Sequence, residues 1–208
     1  MEQIMYPQTL YHGTIDLNLD SFRTRLLNST YWRPKRDFGA GFYTTTSISQ
    51  AKKWARDTAK KYAGPETPRP CVLEIEFIAE GTVFEPLVYI SETVFWAKFV
   101  LDHRTKAEID YDPCPVHPDL IIGPVADNDT GKIVETAIKL NKTDDPNWFF
   151  NQIVRSKRGR RRDTTELGNQ VVFSKEVLEQ SLRLTGYYTF FGSRWHYDVE
   201  GSDPVGSL

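Results

Sequence analysis

Within the segment Cys71 to Ile78, hydrophobic and charged residues alternate from Leu73 to Phe77. Leu73, Ile75 and Phe77 fall on one parity, Glu74 and Glu76 on the other. Successive side chains of a strand point to opposite faces, so this segment predicts a half-solvated strand. Further short strands are expected at 9–11, ending at His12-Gly13-Thr14, and at 41–45, 82–85, 120–125, 169–173 and 187–191. A helix is expected from the capping box Ser47-Ile48-Ser49-Gln50 to Gly64-Pro65, with Ala51, Trp54, Ala55, Ala59 and Tyr62 on one face. Others are expected at 91–101, 131–140 and 145–154, and from Ser174 to about Arg183. Strands and helices interleave without a regular βαβ beat, which argues α+β. No repeat is visible and no linker demands a second domain. The expectation is one domain over residues 1–199, with a frayed tail at 200–208.

Composition removes several function classes. With 12 Phe, 10 Tyr and 5 Trp the chain can build a core, which excludes global disorder. Its 26 basic and 28 acidic residues leave a net charge of −2, so any nucleic-acid role must come from a local patch. Cys71 and Cys114 are the only two cysteines in 208 residues, too few for a disulfide scaffold. Residues 1–7 lack a basic stretch followed by an apolar one, and no apolar run approaches the roughly 18–20 residues that span a bilayer. The expectation is a soluble cytoplasmic chain with no membrane partner; a leaderless exported effector would have the same composition. The Asn-x-Ser/Thr triplets at Asn28, Asn128 and Asn141 are then chance.

Four tempting motifs fail. Gly131-Lys132 is followed by Ile133, where a phosphate-cradling loop needs Ser or Thr. Asp127-x-Asp129-x-Gly131 starts like a calcium loop, but its twelfth position is Ile138. Cys114-x-x-His117 offers two metal ligands with no second pair at zinc-site spacing, so a structural role and no metal are expected. Gly39-x-Gly41 precedes a strand and lacks the rest of a dinucleotide fingerprint.

Three elements survive: Tyr11-His12-Gly13-Thr14; Arg36-Asp37-Phe38-Gly39-Ala40-Gly41-Phe42-Tyr43-Thr44-Thr45 followed by Gln50-Ala51 and Trp54-Ala55; and Glu166-Leu167-Gly168-Asn169-Gln170-Val171-Val172-Phe173. Taken singly these are bland. A histidine after a strand is ordinarily packed or on the surface, and Phe42, Tyr43 and Trp54 are ordinarily core. In this order, with Trp96-x-x-Phe99 before Arg104 and with Asp119-Leu120-Ile121-Ile122-Gly123-Pro124-Val125-Ala126-Asp127, the chain resembles the DUF3990 group of bacterial ADP-ribosyltransferase-like proteins.

The resemblance implies an ADP-ribosyltransferase-like split β-sandwich, two small antiparallel sheets with flanking helices that pinch NAD+ in a cleft. It implies an NAD+-dependent mono-ADP-ribosyltransferase, toxin-like, that releases nicotinamide. His12 would hold the adenine-side ribose hydroxyls, Gly13 the nicotinamide carboxamide through its backbone, and Tyr43 and Trp54 the nicotinamide ring between them. Thr14 and Phe38 fall among the implied NAD+ contacts. The implied catalytic set is His12, Tyr43 and Gln170. The implied partners are a macromolecular acceptor, protein or nucleic acid, and a small cognate antitoxin.

The chemistry fits these residue types. Breaking the nicotinamide–ribose bond builds an oxocarbenium-like centre, which the site must grip and stabilise. An aromatic face carries negative quadrupole density and grips a flat cationic ring. Gly39 and Gly41 let backbone come close to a ligand. Arg36 is either a pyrophosphate partner or a solvated surface arginine. Many such transferases have glutamate where Gln170 stands. An amide orients a ribose hydroxyl without adding charge, which leaves open slow turnover or binding without transfer. Glu166 is either a loop carboxylate for the site or solvated. Arg155, Lys157, Arg158, Arg160, Arg161 and Arg162 form one basic run, either a solvated loop or a platform on which Arg158, Arg160 and Arg161 meet an acidic acceptor. The rival readings are an NAD+ glycohydrolase and a non-catalytic NAD- or ADP-ribose-binding module.

Overall fold

The computed structural model describes residues 6–126, 129–154 and 169–201. It is mixed α+β, with eight strands hydrogen-bonded in the order β4-β5-β6-β2-β1-β3-β7-β8. The strands are β1 (Thr9–Ile15), β2 (Phe42–Thr45), β3 (Pro70–Phe77), β4 (Pro86–Val88), β5 (Leu120–Pro124), β6 (Asn169–Phe173), β7 (Leu182–Phe191) and β8 (Arg194–Val199). The helices are α1 (Leu19–Thr24), α2 (Ile48–Lys61), α3 (Val94–Lys106), α4 (Thr130–Lys139) and α5 (Pro146–Ile153). The pair β4–β5 is parallel, so the expected two antiparallel sheets are met at the coarser level of α+β. The chain divides into two compact units: residues 1–26, 44–83 and 177–208, and residues 27–43 and 84–176.

In the first unit β3 is central, paired antiparallel with β1 from Thr9↔Glu76 to Ile15↔Pro70 and with β7 on its other side. The alternation holds over 73–77: Ile75 and Leu73 are fully buried and Phe77 nearly so, while Glu74 and Glu76 are half-exposed; Val72, on the glutamate face, is buried under α2. Helix α2 starts where the capping signal places it, with Ser47 Oγ accepting from Gln50 N at 3.3 Å. It stops at Lys61, three residues before the expected Gly64. Ala51 and Ala55, fully buried, bring it down onto Val72 of β3, with Tyr11, Tyr188 and Trp195 packed around them. β1 runs through His12-Gly13-Thr14 instead of ending there, because all three positions pair with β3.

The C-terminal segment differs from expectation. Residues Glu176–Ser181 form a 3-10 helix, and the chain turns into β7 at Leu182, where pairing with β3 overrides helix signals. β7 and β8 close through Gly192 (φ 55) and Ser193 (φ 67). Two positive φ values in a two-residue loop are the turn that matches strand twist.

The second unit has β5 buried along its length, paired antiparallel with β6 from Leu120↔Phe173 to Pro124↔Asn169. Its core gathers Phe38, Trp96, Val100, Leu101, Ile121, Phe149 and Val172. α5 begins as expected, with Pro146 in the first turn and Asp145 Oδ1 accepting from Trp148 N at 2.9 Å. The strand expected at 82–85 is instead β4 at Pro86–Val88, since pairing with β5 begins at Pro86↔Leu120 and Val83 is 96% exposed. α3 runs about one turn past the expected end, to Lys106.

Candidate functional site

In the first unit, β1 sends His12 and Gly13 to opposite faces. Gly13 faces α2: a β-carbon there would collide with the Ala51 carbonyl oxygen and stand 2.8 Å from Ala55 N and 3.0 Å from Trp54 Cβ. Glycine is required because the helix lies directly on the strand backbone. His12 leaves by the other face, half-buried, its ring 5.2 Å from that of Phe22. Thr14 follows on the His12 face and is nearly buried, its Oγ1 accepting from Asn18 Nδ2 at 3.1 Å. Trp54 is half-buried on α2.

In the second unit, residues 36–43 form a tightly held turn. Tyr43 Oη donates to Gly39 O at 2.8 Å and accepts from Phe38 N at 2.9 Å. Burial, with the nearby Asp37 charge, pushes this phenol well above its ordinary range. Asp37 is itself buried, its Oδ1 accepting from Arg104 Nε at 2.7 Å. Phe38 is fully buried, with its ring edge-on to Phe99 at 6.0 Å. Gly39 takes φ +78, and Gly41 lies so close to β6 that a β-carbon would stand 2.7 Å from Val172 Cγ1. Arg36 is exposed. The Asp-Phe-Gly string and the Trp96–Arg104 string, separate in sequence, are thus one packed assembly.

Gln170 sits in β6 opposite Gly123 and is 3% exposed. Its Nε2 has no hydrogen-bond partner among the described residues. Alternation puts it on the face of Val172, the face on which Gly123 meets Phe38 and Tyr89. Gln50 in α2 is similar: Ser47 N donates to Thr45 Oγ1, so the glutamine does not close the capping box, and its buried Nε2 is unpartnered. An orphaned buried amide costs about 1–3 kcal/mol and needs a reason. Arg158, Arg160, Arg161 and Glu166 lie outside the described residues.

The sequence reading missed a second constellation. His103 on α3 and Asp112 join Cys114 and His117, with one potential ligand atom from each within 4.8 Å of all the others. The Cys-x-x-His pair was the visible half. His103 and Asp112 stand at no familiar spacing from it, and only the fold brings them in. Burial and the Asp112 charge push the Cys114 thiol up to about 11. Burial pulls His117 below its ordinary range, partly opposed by Asp112.

Residues 8–182 match a family described as protein of unknown function DUF3990. The chain belongs to the DUF3990 family. The match opens just before β1 and closes at the first residue of β7, so the family signature takes in every candidate residue named above. No curated protein matches this DUF3990 chain. No helix among its described residues is long and apolar enough to cross a membrane.

Proposed function

We propose that this DUF3990 chain is an NAD+-dependent mono-ADP-ribosyltransferase of the split-sandwich type, acting on a macromolecular acceptor. The observation that carries the reading is the buried Gln170 amide, whose Nε2 donor has no protein partner among the described residues. An amide donor held rigidly in a strand is suited to orient a ribose hydroxyl. In the reaction the nicotinamide–ribose C–N bond breaks and its electron pair leaves with neutral nicotinamide. The ribose carbon then bonds to a nucleophilic atom of the acceptor, which gives up its proton.

In this reading His12 holds the adenine-side ribose, Gly13 and Thr14 line the nicotinamide end, and the Tyr43 and Trp54 rings stack on nicotinamide. Arg36 meets the pyrophosphate, while Gly39 and Gly41 let the backbone approach. The Tyr43 hydroxyl is committed to the turn, so its contribution is the ring. Arg158, Arg160, Arg161 and Glu166 meet the acceptor, and a small antitoxin-like partner restrains the activity. A binding module without transfer is the second reading, favoured by the neutral Gln170, which adds no charge opposite a developing cation.

The test is incubation with NAD+ labelled on the adenylate side, in cell extract treated with nuclease or protease. The wild-type chain is expected to transfer label and His12→Ala to lose it. Label removed by nuclease would mean a nucleic-acid acceptor; label removed by protease, a protein. Gln170→Glu is expected to raise turnover about 10- to 100-fold if charge is the missing contribution. No label, no released nicotinamide and no effect of either substitution would overturn the transferase reading.

A further inference from the structure

We infer that His103, Asp112, Cys114 and His117 form a structural binding site for one zinc ion. The four side chains come from the last turn of α3 and from the segment between α3 and β5, so all belong to the second unit. His103 Nε2 lies 3.5 Å from Asp112 Oδ1 and 3.8 Å from Cys114 Sγ. His117 Nδ1 lies 3.0 Å from Asp112 Oδ2. Tetrahedral zinc with bonds of about 2.0–2.3 Å to N, O and S spans ligand-to-ligand edges of about 3.3–3.6 Å. The observed separations bracket that range.

The orientation of the rings is more telling than the distances. His103 is fully buried, and its Nδ1 stands 2.8 Å from the carbonyl oxygen of Phe99. A carbonyl accepts only, so Nδ1 carries the proton, and in the neutral ring Nε2 turns a lone pair toward Asp112 and Cys114. His117 has its Nε2 on Ser174 Oγ at 3.2 Å. Its Nδ1 faces the Asp112 carboxylate, 3.0 Å from Oδ2. The His103 lone pair, the Asp112 carboxylate, the Cys114 sulfur and the inward nitrogen of His117 converge on one point, within reach of a single cation. The outward nitrogens already have the hydrogen-bond partners that fix metal-bound imidazoles.

Mixed N and S donors with a single carboxylate select zinc over calcium or magnesium, which prefer oxygen. Four protein ligands leave no open position, so the role is structural. On binding, the Cys114 thiol releases its proton and the sulfur bonds the metal as thiolate. The ion would pin a segment stiffened by Pro113, Pro115 and Pro118 to α3. It would also fix the turn at Gly39, where a β-carbon would stand 2.8 Å from His103 Cδ2 and 2.9 Å from His117 Cε1.

The experiment is metal analysis of the full chain, followed by titration of the chelator-treated chain with Zn2+ and with Co2+, whose thiolate charge-transfer absorption reports a Cys ligand. One zinc per chain is expected. Cys114→Ser is expected to abolish the charge-transfer band and to weaken zinc at least about tenfold. Asp112→Asn, at an exposed position that leaves the core intact, is expected to weaken zinc by a similar factor. Cys71→Ala, which removes the thiol in β3, is expected to bind as wild type. A folded wild-type chain that takes up neither metal at micromolar concentration would overturn the proposal and leave a hydrogen-bonded histidine–carboxylate cluster. So would a Cys114→Ser chain that binds as wild type.

Discussion

Tyr43 illustrates how one residue answers to two demands. Its ring is the candidate nicotinamide platform, while its hydroxyl closes the turn through Phe38 N and Gly39 O. Tyr43→Phe keeps the ring but orphans a buried N–H, so it is expected to cost about 1–3 kcal/mol near neutral pH. The pH dependence follows from the direction of the shift. An unfolded tyrosine ionises near pH 10, whereas Tyr43 in the folded chain holds its proton well beyond. Above about pH 10 the unfolded chain loses that proton first, so stability present below this point is lost as pH rises. The difference between wild type and Tyr43→Phe in urea denaturation should therefore shrink from about pH 8 to about pH 11. The other raised tyrosines are common to both chains and cancel. A constant difference would mean that Tyr43 ionises in the folded chain as it does in the unfolded one. The sequence could suggest this residue by its place in a string of aromatics and glycines. It could not reveal the hydroxyl clamp, which is set by the backbone of the turn at Phe38 and Gly39, nor that Gln170 would be buried with its amide unpaired, which depends on pairing with a strand distant in sequence.

Elements bounded by local chemistry were legible, and those decided by pairing were not. The Ser47 and Asp145 caps mark the starts of α2 and α5, and strict alternation marks β3. By contrast β4 and β7 depend on partners distant in sequence, so β4 begins past its apolar signal and β7 begins early. Asn141 belongs to the same lesson. Its φ of 53 makes it the left-handed residue after α4, with Lys142 N donating to Ala137 O at 2.7 Å and Asn141 N to Ile138 O at 3.1 Å. That is a helix-ending motif in which asparagine stands in for glycine. The packing of α2 on β1 is a further element-scale device, and it offers a physical reason for the His-Gly pair that is independent of NAD+. Gly13→Ala places a methyl group against the backbone of Ala51 and Ala55. It is expected to cost about 1–3 kcal/mol through overpacking, read as a lowered urea midpoint with unchanged far-UV circular dichroism. An unchanged midpoint would mean that α2 rides clear of the strand and that the glycine serves the ligand alone.

At the scale of the molecule the chain passes between its two units after residues 26, 43, 83 and 176. Neither unit is a continuous stretch, so stability must be read on the full chain. The candidate zinc ligands, the Tyr43 clamp and Gln170 all fall in the second unit, and that unit was the less legible one. Its metal-binding half-motif looks insufficient until α3 contributes His103 from eleven residues before Cys114. An ion that binds the folded chain and not the unfolded one stabilises by mass action, about 2.7 kcal/mol at a free concentration a hundred times the Kd. For a chain of this size each kcal/mol moves Tm by about 2–4 °C. Added Zn2+ should therefore raise Tm by about 5–10 °C, and a chelator should reverse it. Cys114→Ser should show at most about half of that shift at the same metal concentration. The comparison separates stabilisation at the four-residue cluster from zinc gathered by scattered surface groups, which would shift both chains alike. It also bears on the candidate enzyme. If zinc fixes the turn that carries Gly39, removing it loosens the backbone to which the Tyr43 hydroxyl is bound. NAD+ binding, followed by quenching of tryptophan fluorescence, should then weaken together with the Tm loss in wild type. In Cys114→Ser it should be weaker from the start and less sensitive to chelator.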